Sequence, residues 1–340
     1  MTSQDIALRR LFSQQIAGSR FAEPAELVKW MGCVRAEDPA GARWSIGARI
    51  PGSTDDSIGA AFKKGLILRT HVLQPAWHFI APDDIHWMLA LTAPRLKAFN
   101  KSLYRSLGLD DIVLNKGKQI IVRALRKGQL TRRELLASMK ETKFPADELR
   151  LRLLLMDAEL DGLIYSDSKD GRQFAYALLE QRMPMPPGFD RAESIVELTK
   201  RYFRSRGPAT VYDFTIWSGL RPAEVQIGME MNKQWLTCEV VNGQEYWFDP
   251  AGKAPDQLRS LHLLPAFDEL AAAYANNGIF KPAVVIDGLA SGTWTQVLEK
   301  HTVAIDVSTP LKKSGALSAA IRRGAERYSA FLGRTLQLKN

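Results

Sequence analysis

Between Gly65 and Leu89, GLILRTHVLQPAWHFIAPDDIHWML, the period of apolar and polar positions changes twice. An amphipathic run closes at Phe62-Lys63-Lys64, and Gly65 stands where a helix ends in a left-handed residue. Leu66 to Val72 mixes β-branched and apolar residues with polar ones, as a half-buried strand does. Gln74-Pro75 breaks that strand, because proline removes a ladder donor and fixes φ, and Trp77 to Ile80 is the returning strand. Pro82-Asp83-Asp84 opens the next helix, with carboxylates where the N-terminal dipole favours them. Helix, hairpin, helix in so few residues predicts a winged-helix module.

Upstream the pattern is helical. Residues 3–17 form an amphipathic helix capped near Ser3 or Asp5, and Pro24 opens a second, AELVKWMGCV. GARWSIGARI follows Asp38-Pro39 as a short third helix, and Thr54 caps a fourth. After Leu109-Asp110-Asp111 the order restarts: a helix over Lys116–Lys127, a capping box at Thr131 and Glu134, and a helix from Leu149 to Glu159. Two short strands follow, Leu163–Ser166 and Phe174–Leu179, joined by the polar loop Asp167–Arg172. Beyond the linker Pro184–Gly188 it restarts again, with a helix over Arg191–Arg204, a second capped by Thr210, and a third opened by Pro222. The strands Leu236–Val241 and Gln244–Phe248 then flank Asn242-Gly243, a strong hairpin signal.

The two restarts also match in sequence. Lys127-Gly128-Gln129-Leu130-Thr131-Arg132-Arg133-Glu134-Leu135 aligns with Arg206-Gly207-Pro208-Ala209-Thr210-Val211-Tyr212-Asp213-Phe214, repeating base, glycine, threonine, acid and apolar residue at the same offsets. Such a match arises by chance, from a shared helix-cap solution or from an internal repeat, and its place in two equal element orders favours the repeat. From about Leu261 strands and turns alternate, and Leu311–Leu332 is a basic terminal helix. The fold class expected is α+β, mainly helical: three tandem winged-helix modules, then a small β-rich domain closed by that helix. The boundaries fall at residues 1–110, 111–185, 186–255 and 256–340.

Charge changes the picture more than composition does. The 340 residues carry 46 Lys and Arg against 37 Asp and Glu, a formal charge of +9, and it is unevenly spread. Residues 116–160 sum to +5 and residues 311–340 to +6, whereas residues 207–310 sum to −6. Separate basic and acidic portions suit a polyanion on one face, or else the basic helices are solvated surface. Arg132 and Arg133 oppose the dipole in the first turn after Thr131, which hints at phosphate contact, and Lys312, Lys313, Arg322 and Arg323 read the same way. No apolar run is long enough to span a bilayer and no N-terminal signal pattern is present, so a cytoplasmic protein is expected. The two cysteines, Cys33 and Cys238, read as reduced residues without metal-ligand spacing.

An ordered set of segments carries a family likeness across nearly the whole chain. They are Leu68-Arg69-Thr70 to Trp77-His78-Phe79, Pro82-Asp83-Asp84, Leu130 to Leu135, Gly207-Pro208-Ala209-Thr210 and Trp217-Ser218-Gly219-Leu220. Leu263-Leu264-Pro265, Phe267-Asp268-Glu269, Asp287-Gly288 and Gly292-Thr293-Trp294 complete it. The chain resembles the bacterial winged-helix DNA-binding family of the AlkZ and YcaQ DNA glycosylases. The resemblance implies three tandem winged helices and a C-terminal β-barrel-like domain forming a concave surface for double-stranded DNA. It implies modified bases as substrate, repair as the setting, association with the bacterial nucleoid, and no metal or organic cofactor. A monomer would suffice, since one chain supplies all three modules.

The family's catalytic Gln-x-Gln or Gln-x-Asp element, followed by Asp-Pro, corresponds here to Arg35-Ala36-Glu37 before Asp38-Pro39. Both polar positions differ. Cleaving an N-glycosidic bond passes through an oxocarbenium-like state that a carboxylate steadies while orienting water, a role open to Glu37. Arg35 repels such a cation, but it suits neutralising Glu37 or holding a phosphate; alternatively the two are a structural ion pair at a helix end. His78 beside Trp77 suits contact with an unpaired base, and Arg69 contact with DNA; otherwise Trp77 and His78 pack the hairpin onto Trp87 and Trp44. His71 and His86 are expected to be exposed, and His262 and His301 isolated. The rival to a glycosylase is a non-catalytic DNA binder or regulator with the same fold, and a protein-interaction scaffold stands behind both.

Overall fold

Capping and proline signals set most of the helices. Thr2 and Asp5 form a capping box ahead of α1 (Ser3–Ser13), and Pro24 opens α2 (Pro24–Met31). The second helix is shorter than its pattern predicts: Gly32, at φ +75°, ends it, and Cys33 and Val34 are buried in the strand β1 (Cys33–Arg35) instead. Asp38 accepts from the Ala40 and Gly41 amides to cap α3 (Pro39–Gly47), and α4 (Asp55–Lys63) runs to the glycine at 65, whose φ is +68°. The computed structural model describes residues 1–169, 173–183, 190–252, 260–275, 280–312 and 314–338. The hairpin tip at 170–172, the proline-rich linker at 184–188 and Lys313 lie outside them. Contacts divide the chain into one unit of Met1–Gly59 with Ile195–Asn340 and another of Ala60–Ser194.

The inner unit begins with β2 (Leu68–His71) and β3 (Trp77–Ile80), an antiparallel pair in which Thr70 faces His78. After the turn at Pro82 the helix α5 (Ile85–Ser106) is long enough to carry Pro94 within it. Then come α6 (Asp111–Leu125), β4 (Leu130–Thr131), α7 (Arg132–Glu141), α8 (Glu148–Leu160), β5 (Ile164–Lys169), β6 (Gln173–Leu178) and the single turn α9 (Leu179–Arg182). Asp110 caps α6 five residues earlier than the pattern predicts, and the Thr131–Glu134 capping box forms as expected. Both strands of the hairpin join the same sheet as β4 and β2, in the order β3-β2-β5-β6-β4. Ile121, Leu135, Met139, Leu151, Leu154 and Ile164 bury the faces of α6, α7, α8 and β5 against one another. Lys118 on α6 is buried against Asp157 on α8, Nζ to Oδ2 2.6 Å.

The outer unit resumes in α10 (Arg191–Arg206) and continues through α11 (Val211–Ser218), α12 (Pro222–Asn232), β7 (Thr237–Val241) and β8 (Gln244–Phe248). The element order repeats that of α6 to β6. Where Leu130 and Thr131 pair with β6, Ala209 makes a single bridge to Trp247 on β8. Thr210 and Asp213 form the same capping box as Thr131 and Glu134. The aligned glycines serve differently. Gly128 takes φ +131° in open space, whereas a Cβ on Gly207 would sit 2.4 Å from the Phe203 carbonyl oxygen and 2.8 Å from Phe248 Cβ. Asn242 and Gly243, at φ +51° and +79°, turn the β7–β8 hairpin as the dipeptide predicts.

The C-terminal part comprises β9 (Leu261–Leu264), the turn α13 (Glu269–Ala272), β10 (Ala283–Ile286), β11 (Leu289–Leu298), β12 (Thr302–Ser308), α14 (Gly315–Phe331) and β13 (Thr335–Leu338). Its sheet runs β13-β12-β11-β10-β9, with β13 added in parallel to β12, a strand the sequence pattern does not announce. The terminal helix packs Tyr328 and Phe331 on Trp44 of α3, ring centres 4.9 and 5.0 Å apart, and Tyr328 also meets Trp294 on β11. Trp44 is thus an anchor of the terminal helix. Its indole N–H donates to the Leu263 carbonyl at 2.7 Å.

Beneath these elements lies a buried ionic network. Asp268 takes both forks of Arg49, 2.7 and 2.8 Å away, and accepts from Ser45 Oγ at 2.7 Å. The remaining Arg49 donors reach Gln14 and the Ser45 carbonyl. Burial alone would push the Asp268 carboxyl up, but the Arg49 charge and the hydrogen bonds outweigh it and hold the group below the ordinary carboxylate range.

Two outcomes are expected. Asp268→Asn leaves the fully buried Arg49 without its counter-charge and should cost about 3–5 kcal/mol in urea unfolding at neutral pH. Because the folded pKa is depressed, the wild-type contribution is complete above the unfolded value of about 3.9 and is lost as pH falls through the lower folded value. The difference between wild type and variant should therefore narrow in that acid window; a constant difference there would remove Asp268 from the network. Gly207→Ala should cost about 1–3 kcal/mol by overpacking, read as a lowered melting temperature.

Candidate functional site

The strand β1 ends at Arg35, and the next residues alternate in burial: Arg35 is half-buried, Ala36 fully buried and Glu37 turned outward. Ala36 thus pins the tripeptide to the core while presenting its two polar neighbours. The Arg35 Nε lies 3.2 Å from Glu37 Oε2, with side chains 18% and 33% exposed, so the carboxylate is paired yet open to solvent. The guanidinium also rests 5.3 Å from the centre of the Phe267 ring. This is an ion pair on the strand-to-helix loop between β1 and the N-terminal end of α3.

The loop is held from both sides. After it, Asp38 caps α3, and Gly41 leaves room for that cap, since a Cβ there would lie 2.6 Å from Asp38 Oδ2. Before it, the Arg35 amide donates to Glu269 Oε1 at 2.9 Å, while Glu269 Oε2 accepts from Arg206 Nη2 at 2.5 Å. Arg206 also donates to the carbonyls of Met31 and Cys33, at 2.6 and 3.0 Å, and its guanidinium carbon lies 4.4 Å from the Trp217 ring centre. Arg206 and Glu269 are both buried. The backbone that presents Glu37 is therefore fixed by charges inside the protein. Sequence reasoning missed this role for Arg206 and Glu269, although both stand in segments it had marked, the internal match and Phe267-Asp268-Glu269. Arg49 had no signal: an arginine at a helix end looks like surface.

Other sequence-selected residues sit elsewhere. Arg69 is buried, with its guanidinium carbon 4.3 Å from the Trp77 ring centre and 4.5 Å from that of Phe174, and it donates to Ser166 Oγ at 3.0 Å. His78 is buried too, its Nδ1 facing the Ala76 carbonyl at 3.0 Å. Trp77 is half-buried and packs on His71 at 4.3 Å between ring centres. His71, expected to be exposed, is buried against the carboxylate of Glu159, because β2 lies inside the sheet rather than at a free edge. Arg69 and Trp77 thus have aromatic and hydrogen-bonding neighbours within the hairpin's own unit. Arg132 is half-buried, while Arg133, Lys312, Arg322 and Arg323 are exposed.

His262 is pushed down to about 4, by burial first and then by the charges of Arg327 and Arg49, so it is uncharged at neutral pH. Among the described residues no three His, Cys, Asp or Glu side chains gather as a metal ion would need. No helix among them is long and apolar enough to cross a membrane.

Comparison with known proteins fits this geometry. The fold superposes on the Streptomyces sahachiroi DNA glycosylase AlkZ with a TM-score of 0.80, covering 100% of both chains at 17% sequence identity. At that identity the likeness is one of fold. None of the curated proteins matches the chain. A family model described as DNA glycosylase AlkZ-like matches residues 28–331, from α2 to the end of α14, and the chain belongs to that family.

Proposed function

We propose that the chain binds double-stranded DNA through three tandem winged-helix modules and hydrolyses the N-glycosyl bond of a modified base, with Glu37 as its catalytic carboxylate. The observation that carries the reading is Glu37 itself: a carboxylate one-third exposed, at the position of the family's catalytic element, on a backbone fixed by Glu269 and Arg206. Family membership over residues 28–331 supports DNA as partner and a glycosylase-like role in repair. The twice-repeated order of helix, strand contact, two helices and a hairpin supports the second and third modules, residues 111–185 and 186–255. The first, within 1–110, has the β2–β3 hairpin as its wing, and 256–340 is the β-rich C-terminal domain. One chain supplies the whole surface, so the protein acts as a monomer, in the cytoplasm at the nucleoid.

In this mechanism the departing base leaves positive charge on the sugar, and the Glu37 carboxylate steadies that charge and orients the attacking water. Arg35 has to leave Glu37 first. A partly exposed ion pair is worth only about 0–1 kcal/mol, so a DNA phosphate entering the loop can take the guanidinium, with its planar fork, at little cost. Arg35 then holds the strand and Glu37 faces the sugar. Arg133, Lys312, Arg322 and Arg323 supply exposed cations for phosphates, with the half-buried Arg132 next to Arg133 in sequence. Arg69, Trp77 and His78 hold the shape of the hairpin and do not themselves read bases.

The Arg35–Glu37 pair also favours a second reading, a DNA binder without chemistry, in which the two charges simply neutralise each other. Incubation with duplexes bearing 7-methylguanine, 3-methyladenine or a crosslink separates the two. Base release by the wild type is expected; Glu37→Gln should alter its rate with DNA affinity retained, and Glu37→Ala should slow it by about 10²-fold or more. Intact binding with no base released from any duplex leaves the non-catalytic reading. A release rate unchanged in Glu37→Gln removes Glu37 from the mechanism. DNA affinity that does not fall with rising salt would instead favour a protein-binding scaffold.

A further inference from the structure

Away from Glu37, α1, α2, α10 and β8 enclose a hollow of about 230 Å³ in the outer unit. Among the described residues its charged lining is Arg9, Arg20, Arg204 and one carboxylate, Asp249. Two of these arginines share one aromatic platform: the guanidinium carbons of Arg20 and Arg204 lie 4.2 and 4.6 Å from the centre of the Trp30 ring. The third, Arg9, lies 4.9 Å from the centre of the Phe248 ring. Asp249 approaches Arg204 only at 3.4 Å, and it balances one of three positive charges.

The arrangement is built rather than incidental. The indole N–H of Trp30 donates to the Ser13 carbonyl at 2.9 Å, which fixes the platform. The Arg20 amide donates to Gln15 Oε1 at 3.2 Å, which fixes the base of that side chain. Cation–π contacts orient guanidinium groups without neutralising them, so three like charges are gathered around an opening where, among the described lining residues, Asp249 alone opposes them. A guanidinium fork matches the oxygens of a phosphate group, and its flat face can rest on an aromatic ring while its edge donates.

We infer that this hollow is a phosphate-binding subsite, formed by Arg9, Arg20 and Arg204, that takes either a phosphodiester of a DNA strand or a free phosphate group. The first source rests on the DNA-binding reading; the second does not. None of the three arginines was marked by charge patterning, because they lie outside the two basic segments and meet only in the fold.

The test uses the full chain and the double variant Arg20→Gln/Arg204→Gln. Arg20 and Arg204 are exposed, so the variant should keep the wild-type melting temperature without ligand. Affinity for an undamaged duplex is measured by fluorescence anisotropy across a salt series, and melting temperature is measured with and without inorganic phosphate. If the subsite holds a phosphodiester, the variant binds DNA about 5- to 50-fold more weakly at low salt and its salt slope falls by about one to two. If it holds a free phosphate, DNA binding is the same in both proteins, or absent from both, while inorganic phosphate raises the melting temperature of the wild type alone. Absence of DNA binding by the wild type would defeat the DNA reading and leave the phosphate arm to decide. Equal DNA affinity and slope, together with equal responses to phosphate, would overturn the proposal.

Discussion

Asp268 and Glu269 are neighbours in sequence, and each holds a buried arginine from a different part of the chain. Asp268 takes Arg49 from the end of α3, and Glu269 takes Arg206 from the end of α10. Between them they tie the N-terminal helices, the restart of the chain after the inner unit, and the C-terminal part into one body. Buried charge is a poor source of net stability, since desolvation offsets most of the attraction, but it is unforgiving of misplacement. Each arginine here also donates to two backbone carbonyls: those of Gln14 and Ser45 for Arg49, and of Met31 and Cys33 for Arg206. The network therefore specifies where strands and helix ends lie, and a slipped β1 would take one hydrogen-bond partner from Arg206 and one from Glu269.

That constraint reaches the site directly. Glu269 uses one oxygen on Arg206 and the other on the Arg35 amide, so the strand that ends at Arg35, two residues before Glu37, is positioned by the same carboxylate that fixes α10. Preorganisation of this kind belongs to sites that stabilise developing charge, because no reorganisation is then needed during the reaction. The side chains above the fixed backbone are free of that rule. The Arg35–Glu37 pair sets the charge at the loop above that scaffold. It also makes the carboxylate's availability depend on where the arginine points.

Local chemistry was legible in the sequence wherever it was local. Thr131 with Glu134 and Thr210 with Asp213 announced two helix starts, Asn242-Gly243 announced a hairpin, and the aligned cap segments announced a repeated element order. What required long-range pairing was not legible. Cys33–Arg35 looks like the end of a helix until the glycine before it is seen at φ +75°, and β13 finds its partner more than thirty residues away. Burial of ionisable groups was hardest to read. Arg69 and His71 sit on a strand that looks like an exposed wing, yet that strand lies between two others, and both side chains find partners on them or on α8.

The hairpin shows how such a reading changes its meaning. A run holding an arginine, a tryptophan and two histidines suggests contact with nucleic acid, because those side chains stack and donate well. In the fold three of them stack on one another, and the hydrogen bonds of the arginine and the histidines end on other protein groups. Arg69 lies against Trp77 and Phe174, Trp77 lies against His71, and His71 meets Glu159. The same physics acts around Trp30, where arginines also lie on an aromatic ring. There, however, Arg20 and Arg204 are exposed and line an opening, whereas Arg69 is 4% exposed and already donates to Ser166. Residue type alone does not separate a cation–π pair that closes a core from one that presents charge; the difference is whether the guanidinium edge ends on protein or on solvent.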